Sequence, residues 1–439
     1  MIKFLNKHKV FLLKIYNLLP KYLQSQIKLK YRKQSQAKLY DHVGEVASSK
    51  KHTYKGESYN IASTLDSKLE QGVNLIGFPT GDLGLGVHIR SAGSAVDAAK
   101  INHSYYDCAS LVNGSFSDES VTEKISKKLA HNTNLFVCNG DTVALLFNDK
   151  GLDVFGGRYN IHYGAWELSK YPEEWIPTLG MFDEYWAMSS FLQKSVSDSA
   201  TIPVIHMPYP IDFEIPKGFT RKDFGLPDDK FLYVFTFDIS SVMERKNPKA
   251  VIESFYAAFP KNDDVGLVIK VVRKKDFANQ KKELDDLMSK LKNDKRIFLI
   301  DEILPRDKIL GLINVCDVYV SLHRAEGLGI GMAEAMKMKK PVIATNYSGN
   351  TDFTLHDNSC LVDYKLIPLK PLDYIYEKGK VWADASTEHA AFYMKKLYED
   401  KDYYNTIATK GKAFIDTNYS VSAIKDKYLA RLKILGLTK

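Results

Sequence analysis

Apolar residues along the chain fall into short β-branched and aromatic runs, separated by longer stretches with helical spacing. The first run, Val73-Asn74-Leu75-Ile76-Gly77-Phe78, opens through a glycine-bearing loop into an Ala/Ser-rich helix that reaches Lys100. Runs over residues 104–107, 134–139 and 159–163 alternate with helical segments. A proline-rich connection, Met207-Pro208-Tyr209-Pro210-Ile211-Asp212, is stiff and extended. A second series follows at residues 231–237, 265–272, 296–300, 318–322, 342–345 and 360–362. Such alternation predicts doubly wound, parallel α/β sheets. From Trp382 onward Ala390, Met394, Leu397, Tyr398, Tyr428, Leu432 and Leu435 keep a helical period. The chain therefore divides into a leader and linker (1–70), a first β/α unit (71–212), a second (213–405) and a closing helical segment (406–439).

Charge changes this picture only at the start. The 439 residues carry a net charge of +8, but residues 1–40 hold nine Lys, one Arg and no acidic residue, which leaves −2 for the remaining 399. A basic leader precedes a near-neutral body, so nucleic acid is not expected as a partner. The leader's longest apolar run, Val10 to Leu19, is broken by Lys14 and Asn17, too short for a bilayer span of ~20 apolar residues. Phe11, Ile15, Leu18, Leu19 and Tyr22 recur at helical spacing. A basic amphipathic segment of that kind suits peripheral contact with an anionic membrane; the alternatives are a helix packed on the body or a disordered tail. Four widely spaced cysteines, Cys108, Cys138, Cys316 and Cys360, suggest neither a zinc site nor a disulfide framework, and point to a reducing cytoplasm.

The chemistry concentrates in residues 321–352. The run Val318-Tyr319-Val320 ends in a polar elbow, His323-Arg324-Ala325-Glu326, and then Gly327-Leu328-Gly329-Ile330-Gly331 opens a helix expected to run to Lys340 and stop at Pro341. A strand that enters a helix through glycines presents free N–H groups and a positive dipole end, which suits a diphosphate. Glu326 and Glu334 flank that point. Carboxylates repel phosphate, so their natural partners are neutral hydroxyls on either side of it. A nucleotide sugar has that layout, with one Glu on the hexose and the other on the ribose.

The segment Glu326-Gly327-Leu328-Gly329-Ile330-Gly331-Met332-Ala333-Glu334 resembles the E-G-x-G-x-x-x-x-E donor site of retaining glycosyltransferases of family four. The likeness covers roughly residues 72–425 and is most specific between 231 and 352. It implies the GT-B fold: two Rossmann-like domains facing across a cleft, with a C-terminal helix crossing back. It assigns donor binding to Glu334, Gly327, Leu328 and Gly329, and to Gly84 and Gly86 of the first glycine loop, where a third Gly is lacking for a dinucleotide fingerprint. The stretches around Tyr159–Leu168 and Tyr171–Trp175 resemble a branch of the same family and imply acceptor-side roles for Glu167 and His162. A basic pair is expected after the first strand of the second unit; Lys246 matches its Lys, while Ser240 or Ser241 stands at the Arg position and Arg245 is left to supply that charge.

With Glu326, Lys246 and Arg245 as catalytic residues, the resemblance implies a metal-independent, retaining hexosyltransferase without a cofactor. It would move a sugar from a nucleoside-diphosphate donor to a glycan or lipid-linked acceptor for cell-surface polysaccharide or lipopolysaccharide, at the inner face of the membrane. Two other readings compete. One is an inactive relative serving as a binding partner in a glycan-assembly complex, supported by the Ser at the Arg position. The other is a nicotinamide dehydrogenase, but neither half has G-x-G-x-x-G followed by an acidic residue ~20 positions on.

Overall fold

The computed structural model describes residues 52–54, 57–59, 65–82, 84–272, 278–289, 291, 293–371 and 373–439. The basic leader lies outside them. A short antiparallel hairpin, β1 (His52–Tyr54) and β2 (Glu57–Tyr59), comes first.

Six parallel strands build the first sheet: β3 (Glu70–Gly77), β4 (His103–Asp107), β5 (His131–Val137), β6 (Tyr159–His162), β7 (Glu184–Ala187) and β8 (Val204–His206), in the order β4-β3-β5-β6-β7-β8. The helices α1 (Gly84–Ala98), α2 (Gly140–Lys150), α3 (Ile176–Leu179) and α4 (Ser190–Ser197) connect them. Every residue of β5 is buried, as a central parallel strand covered on both faces requires. Register is fixed by more than apolar packing. Asn74, Asn134 and Asn160 are paired neighbours on β3, β5 and β6. Asn74 Nδ2 donates to Asn134 Oδ1 at 2.9 Å, and Asn134 Nδ2 donates to Asn160 Oδ1 at 2.8 Å and to Val154 O at 2.8 Å. A one-residue slip would leave these buried amides unpaired.

The second sheet is also parallel and six-stranded: β9 (Phe231–Asp238), β10 (Val265–Val272), β11 (Ile297–Asp301), β12 (Val318–Ser321), β13 (Val342–Thr345) and β14 (Cys360–Val362), in the order β11-β10-β9-β12-β13-β14. Its helices are α5 (Met243–Lys246), α6 (Pro248–Ala258), α7 (Ala278–Ser289), α8 (Arg306–Val315) and α9 (Ile330–Lys337). An antiparallel pair, β15 (Tyr364–Pro368) and β16 (Val381–Ala385), is joined by a segment that reaches to the first half. There the Tyr374 and Tyr376 rings lie near Trp166, at 5.6 and 6.4 Å. The last helices are α10 (Thr387–Glu399), α11 (Lys401–Asn418) and α12 (Val421–Ile434).

The returning helix that the resemblance implies is α12. It packs on α1, and α11 stays against α9. The Tyr428 and Tyr163 hydroxyls are 3.0 Å apart, and Arg431 pairs with the buried Glu184 of β7. Two features differ from the sequence expectation. The strands β7 and β8 extend the first sheet, and α9 stops at Lys337 rather than Lys340, because Lys339 adopts φ 58°, a left-handed residue that ends the helix before Pro341.

Candidate active site

The loops at the carboxyl ends of the two sheets meet, and the residues 321–329 lie at that junction. Behind the elbow His323 is wholly buried. Its Nδ1 is 3.0 Å from Ser321 Oγ, its Nε2 is 3.0 Å from Asn350 Oδ1, and its carbonyl accepts from Thr345 Oγ1 at 2.7 Å. Burial holds this ring below its ordinary pKa, so it serves as a neutral brace. Gly329 sits at φ 90° as the residue before α9, a conformation that strains any side chain. Gly349 lies back to back with the loop: a Cβ there would fall 2.0 Å from Gly327 O.

The basic residues come from α5, a four-residue helix between two left-handed residues, Val242 (φ 67°) and Asn247 (φ 56°). A β-branched residue at positive φ is a genuine outlier. The turn it forms delivers Arg245 and Lys246 to Glu326. Lys246 Nζ bonds Glu326 Oε1, and Arg245 Nη1 stands 3.2 Å from Glu326 Oε2. Burial alone would raise the Glu326 carboxyl; Lys246 and Arg245 outweigh it and hold the pKa at about 2. For Lys246 burial wins over Glu326, and the ammonium lies below its ordinary value.

Arg245 does not face an open site. It is 4% exposed; its Nε donates to Ser241 O at 3.1 Å, its Nη1 to Ala325 O at 2.8 Å, and its Nη2 lies 3.8 Å from Glu167 Oε1. The guanidinium is enclosed by acceptors and orients Glu326 and Glu167, which corrects the expectation that it takes up the missing diphosphate contact. Burial depresses its pKa, but Glu326 and Glu167 outweigh that and raise it.

On the other flank of the α9 N-terminus, Glu334 is buried and bonds Arg306, the first residue of α8. Lys246, Glu326, Gly329, Glu334, Arg306 and Thr236 line one pocket of about 190 Å³. So the structure brings Glu326, Glu334, Lys246 and Gly329 together. Leu328 is buried, which leaves only its backbone to meet a ligand, and Gly327 O accepts from Ser189 Oγ of the first half at 2.6 Å. Gly84 and Gly86 open α1; Gly84 is exposed, and a Cβ on Gly86 would lie 2.0 Å from Gly81 O.

The two acceptor-side candidates separate. Glu167 is partly exposed, near Arg245, and accepts from Tyr374 Oη at 2.7 Å. His162 is not presented to the cleft. Its Nε2 meets Cys138 O at 2.9 Å, its ring stacks on Phe182 at 4.6 Å, and burial pushes its pKa down to about 4. It is a packed core residue.

Residues outside the sequence reading also shape the junction. Asp352 accepts from Ser190 N at 2.7 Å and lies 3.1 Å from His206 Nε2, which pins the two halves together. Among the described residues no group of three or more His, Cys, Asp or Glu is placed to hold a metal ion. The chain's Asp-x-Asp triplet, Asp400-Lys401-Asp402, lies away from the pocket, with Asp400 capping α11 by accepting from Tyr403 N at 2.9 Å. Among the described residues no helix is long and apolar enough to cross a membrane.

Residues 217–366 match the family model for glycosyl transferases group 1. That span contains every residue named in the 190 Å³ pocket. Three solved structures resemble the whole body. The Anabaena protein HepE in complex with UDP-glucose shares 13% identity with a TM-score of 0.63, over 83% of this chain and 100% of that one. Sucrose-phosphate synthase from Thermosynechococcus elongatus shares 15%, TM-score 0.60, over 84% and 99%. A glycosyltransferase from Rickettsia africae shares 14%, TM-score 0.57, over 83% and 99%. Among curated proteins none is significantly similar in sequence. The architecture of two facing parallel sheets is the GT-B fold.

Proposed function

We propose that the protein is a retaining glycosyltransferase that moves a hexose from a nucleoside-diphosphate sugar to a glycan or lipid-linked acceptor. The observation that carries this reading is a single pocket, within the family-matched span, in which two carboxylates eight positions apart flank a helix N-terminus and each meets a cation. A diphosphate at the α9 N-terminus would use its free N–H groups and dipole. Glu326, held as an anion, would accept from a hexose hydroxyl, and Glu334 from the ribose. As the C1–O bond to the diphosphate breaks, Lys246 would meet the charge that develops on the leaving oxygen. With retention, the acceptor oxygen bonds C1 on the same face and its proton passes to that phosphate oxygen. Side-chain cations and the helix end then take the part of a metal, and no resident cofactor is needed. The UDP-glucose of the HepE complex makes a uridine nucleotide the first donor class to try.

Glu167, beside the cleft and held by Tyr374 and Arg245 of the second half, supports an acceptor-side role. The ten cations of residues 1–40 support a cytoplasmic enzyme held at an anionic membrane face, where lipid-linked or cell-surface glycans are assembled.

A thermal-shift panel of nucleoside diphosphates and their sugars tests the reading. A cognate ligand at 100 times its Kd stabilises the folded state by about 2.7 kcal/mol. Product analysis by NMR then reports whether the anomeric configuration is kept. Absence of a shift with every nucleotide at millimolar concentration would refute the proposal.

A further inference from the structure

The donor site proposed above has an arginine vacancy, and the structure contains a residue suited to fill it. Ser240 or Ser241 stands where a first arginine is expected, and Arg245 is enclosed among Ser241 O, Ala325 O, Glu326 and Glu167. Arg306 has the opposite character. Its side chain is 34% exposed, whereas the Glu334 side chain it meets is 3% exposed. Glu334 engages one Nη of a guanidinium that has five N–H donors. That guanidinium lines the same pocket as Lys246, and the two cations sit at the two carboxylates that flank the α9 N-terminus.

The charges around the pocket point the same way. Lys246 with Glu326, Arg306 with Glu334 and Arg245 with Glu167 set three cations against three carboxylates, so the cluster carries no net charge. A diphosphate brings at least two negative charges into a space whose cations are already engaged by carboxylates. Both cations must therefore be shared with the ligand or released to it. The ribose hydroxyls offer Glu334 a replacement partner, and the guanidinium fork is matched to phosphate oxygens.

We propose that Arg306 is the second diphosphate-binding cation of the donor site, and that it exchanges Glu334 for phosphate oxygens as the ribose takes over the carboxylate. The assignment rests on the nucleotide-sugar reading, and it names a residue that the family pattern around Lys246 does not contain. The chemical class it recognises is the diphosphate itself, independent of the base and of the sugar.

The test is a set of titrations on the full chain with uridine, UMP and UDP, and with guanosine, GMP and GDP, at fixed ionic strength. The proteins are wild type, Arg306→Ala, Arg306→Gln and Arg306→Lys, each first shown to melt cooperatively. Arg306→Gln keeps a donor for Glu334 and serves where the alanine variant is poorly folded. The loss of charge-assisted bonds to phosphate lowers affinity about 10- to 100-fold. Arg306→Ala and Arg306→Gln should show that loss for the diphosphate, smaller loss for the monophosphate, and an unchanged nucleoside affinity. Arg306→Lys should recover part of it. Equal losses for nucleoside and diphosphate would make Arg306 a support for Glu334 and overturn the proposal, as would unchanged diphosphate affinity in all three variants. A wild-type protein that binds none of the six ligands would overturn the nucleotide-sugar reading and this assignment with it; binding by wild type that the variants share overturns the assignment alone.

Discussion

Replacing Lys246 by Met removes the ammonium and keeps most of the side-chain volume. Two effects follow, and the structure sizes each. In the folded protein Glu326 loses one of its two cations, but Arg245 remains at 3.2 Å. At an effective dielectric of about 20, that pair still attracts by roughly 5 kcal/mol, so Glu326 stays ionised at neutral pH. Stripping a buried ion of its partner costs about 3–5 kcal/mol; with one cation left in place the loss should be nearer ~1–3 kcal/mol. The Glu326 pKa, about 2 in the intact cluster, should rise. A carboxylate with a depressed folded pKa contributes stability that is complete above its unfolded value near 4.5 and vanishes as pH falls through about 2. The acid limb of the stability curve should therefore move to higher pH in the variant. In the reaction, loss of one preorganised cation at the leaving oxygen costs about 3 kcal/mol, or ~100-fold in kcat. The assay is steady-state transfer with the cognate donor, well below the Tm of both proteins, beside urea denaturation from pH 2.5 to 7. A double-mutant cycle with Glu326→Gln separates the roles. If Lys246 acts only by holding Glu326, the double variant will be no slower than the slower single one. A variant that keeps more than about half of the wild-type kcat refutes the electrostatic role of Lys246.

Further outcomes can be checked independently. Glu334→Gln should raise the donor KM more than it lowers kcat, because ribose contacts are alike in ground and transition states; a pure kcat loss would count against the ribose assignment. Asn134→Ala should destabilise the fold by about 2–4 kcal/mol, since it leaves Val154 O and two neighbouring amides with lost partners in the buried ladder; equilibrium urea unfolding reads this directly, and a loss under ~1 kcal/mol would show that the ladder is dispensable. Removal of residues 1–40 should leave folding and soluble donor turnover intact and weaken sedimentation with anionic vesicles at low salt, each cation near the surface contributing ~1 kcal/mol; equal sedimentation of the two proteins would exclude membrane attachment by the leader.

The second sheet was legible in the sequence nearly strand for strand, because its parallel strands are apolar runs bounded by clear breaks. In the first half β7 and β8 escaped notice. Glu184 and His206 interrupt the apolar pattern, and the partners that make them tolerable, Arg431 and Asp352, come from distant parts of the chain. Glu326 and Glu334 were readable since spacing along one strand, loop and helix fixes their relation. Solvent exposure was not. Lys246 stands at a helix boundary and reads as a surface residue, yet its side chain is 19% exposed, because Val242 and Asn247 turn α5 inward. His162 reads as a strand-end cleft residue, and Phe182 and Tyr185 cover it instead. Arg306 carries no local signal at all beyond opening a helix after Pro305, and Tyr374 meets Glu167 across 207 positions.

The contact between α12 and α1 also sets an order of events during synthesis. The helix α1 ends at Ala98 and α12 begins at Val421, so about 320 residues separate the two. At about 5–20 residues per second, the ribosome finishes α1 roughly 15–65 s before α12 starts to form. In that interval the first sheet can close its asparagine ladder, but Tyr163 waits for the Tyr428 hydroxyl and Glu184 for its arginine. A nascent chain stalled before Val421 thus presents an otherwise assembled first half with the α12-facing side of α1 uncovered and the buried Glu184 bonded by Trp186 but without its cation. Synthesis of α12, rather than the completion of either sheet, seals this contact.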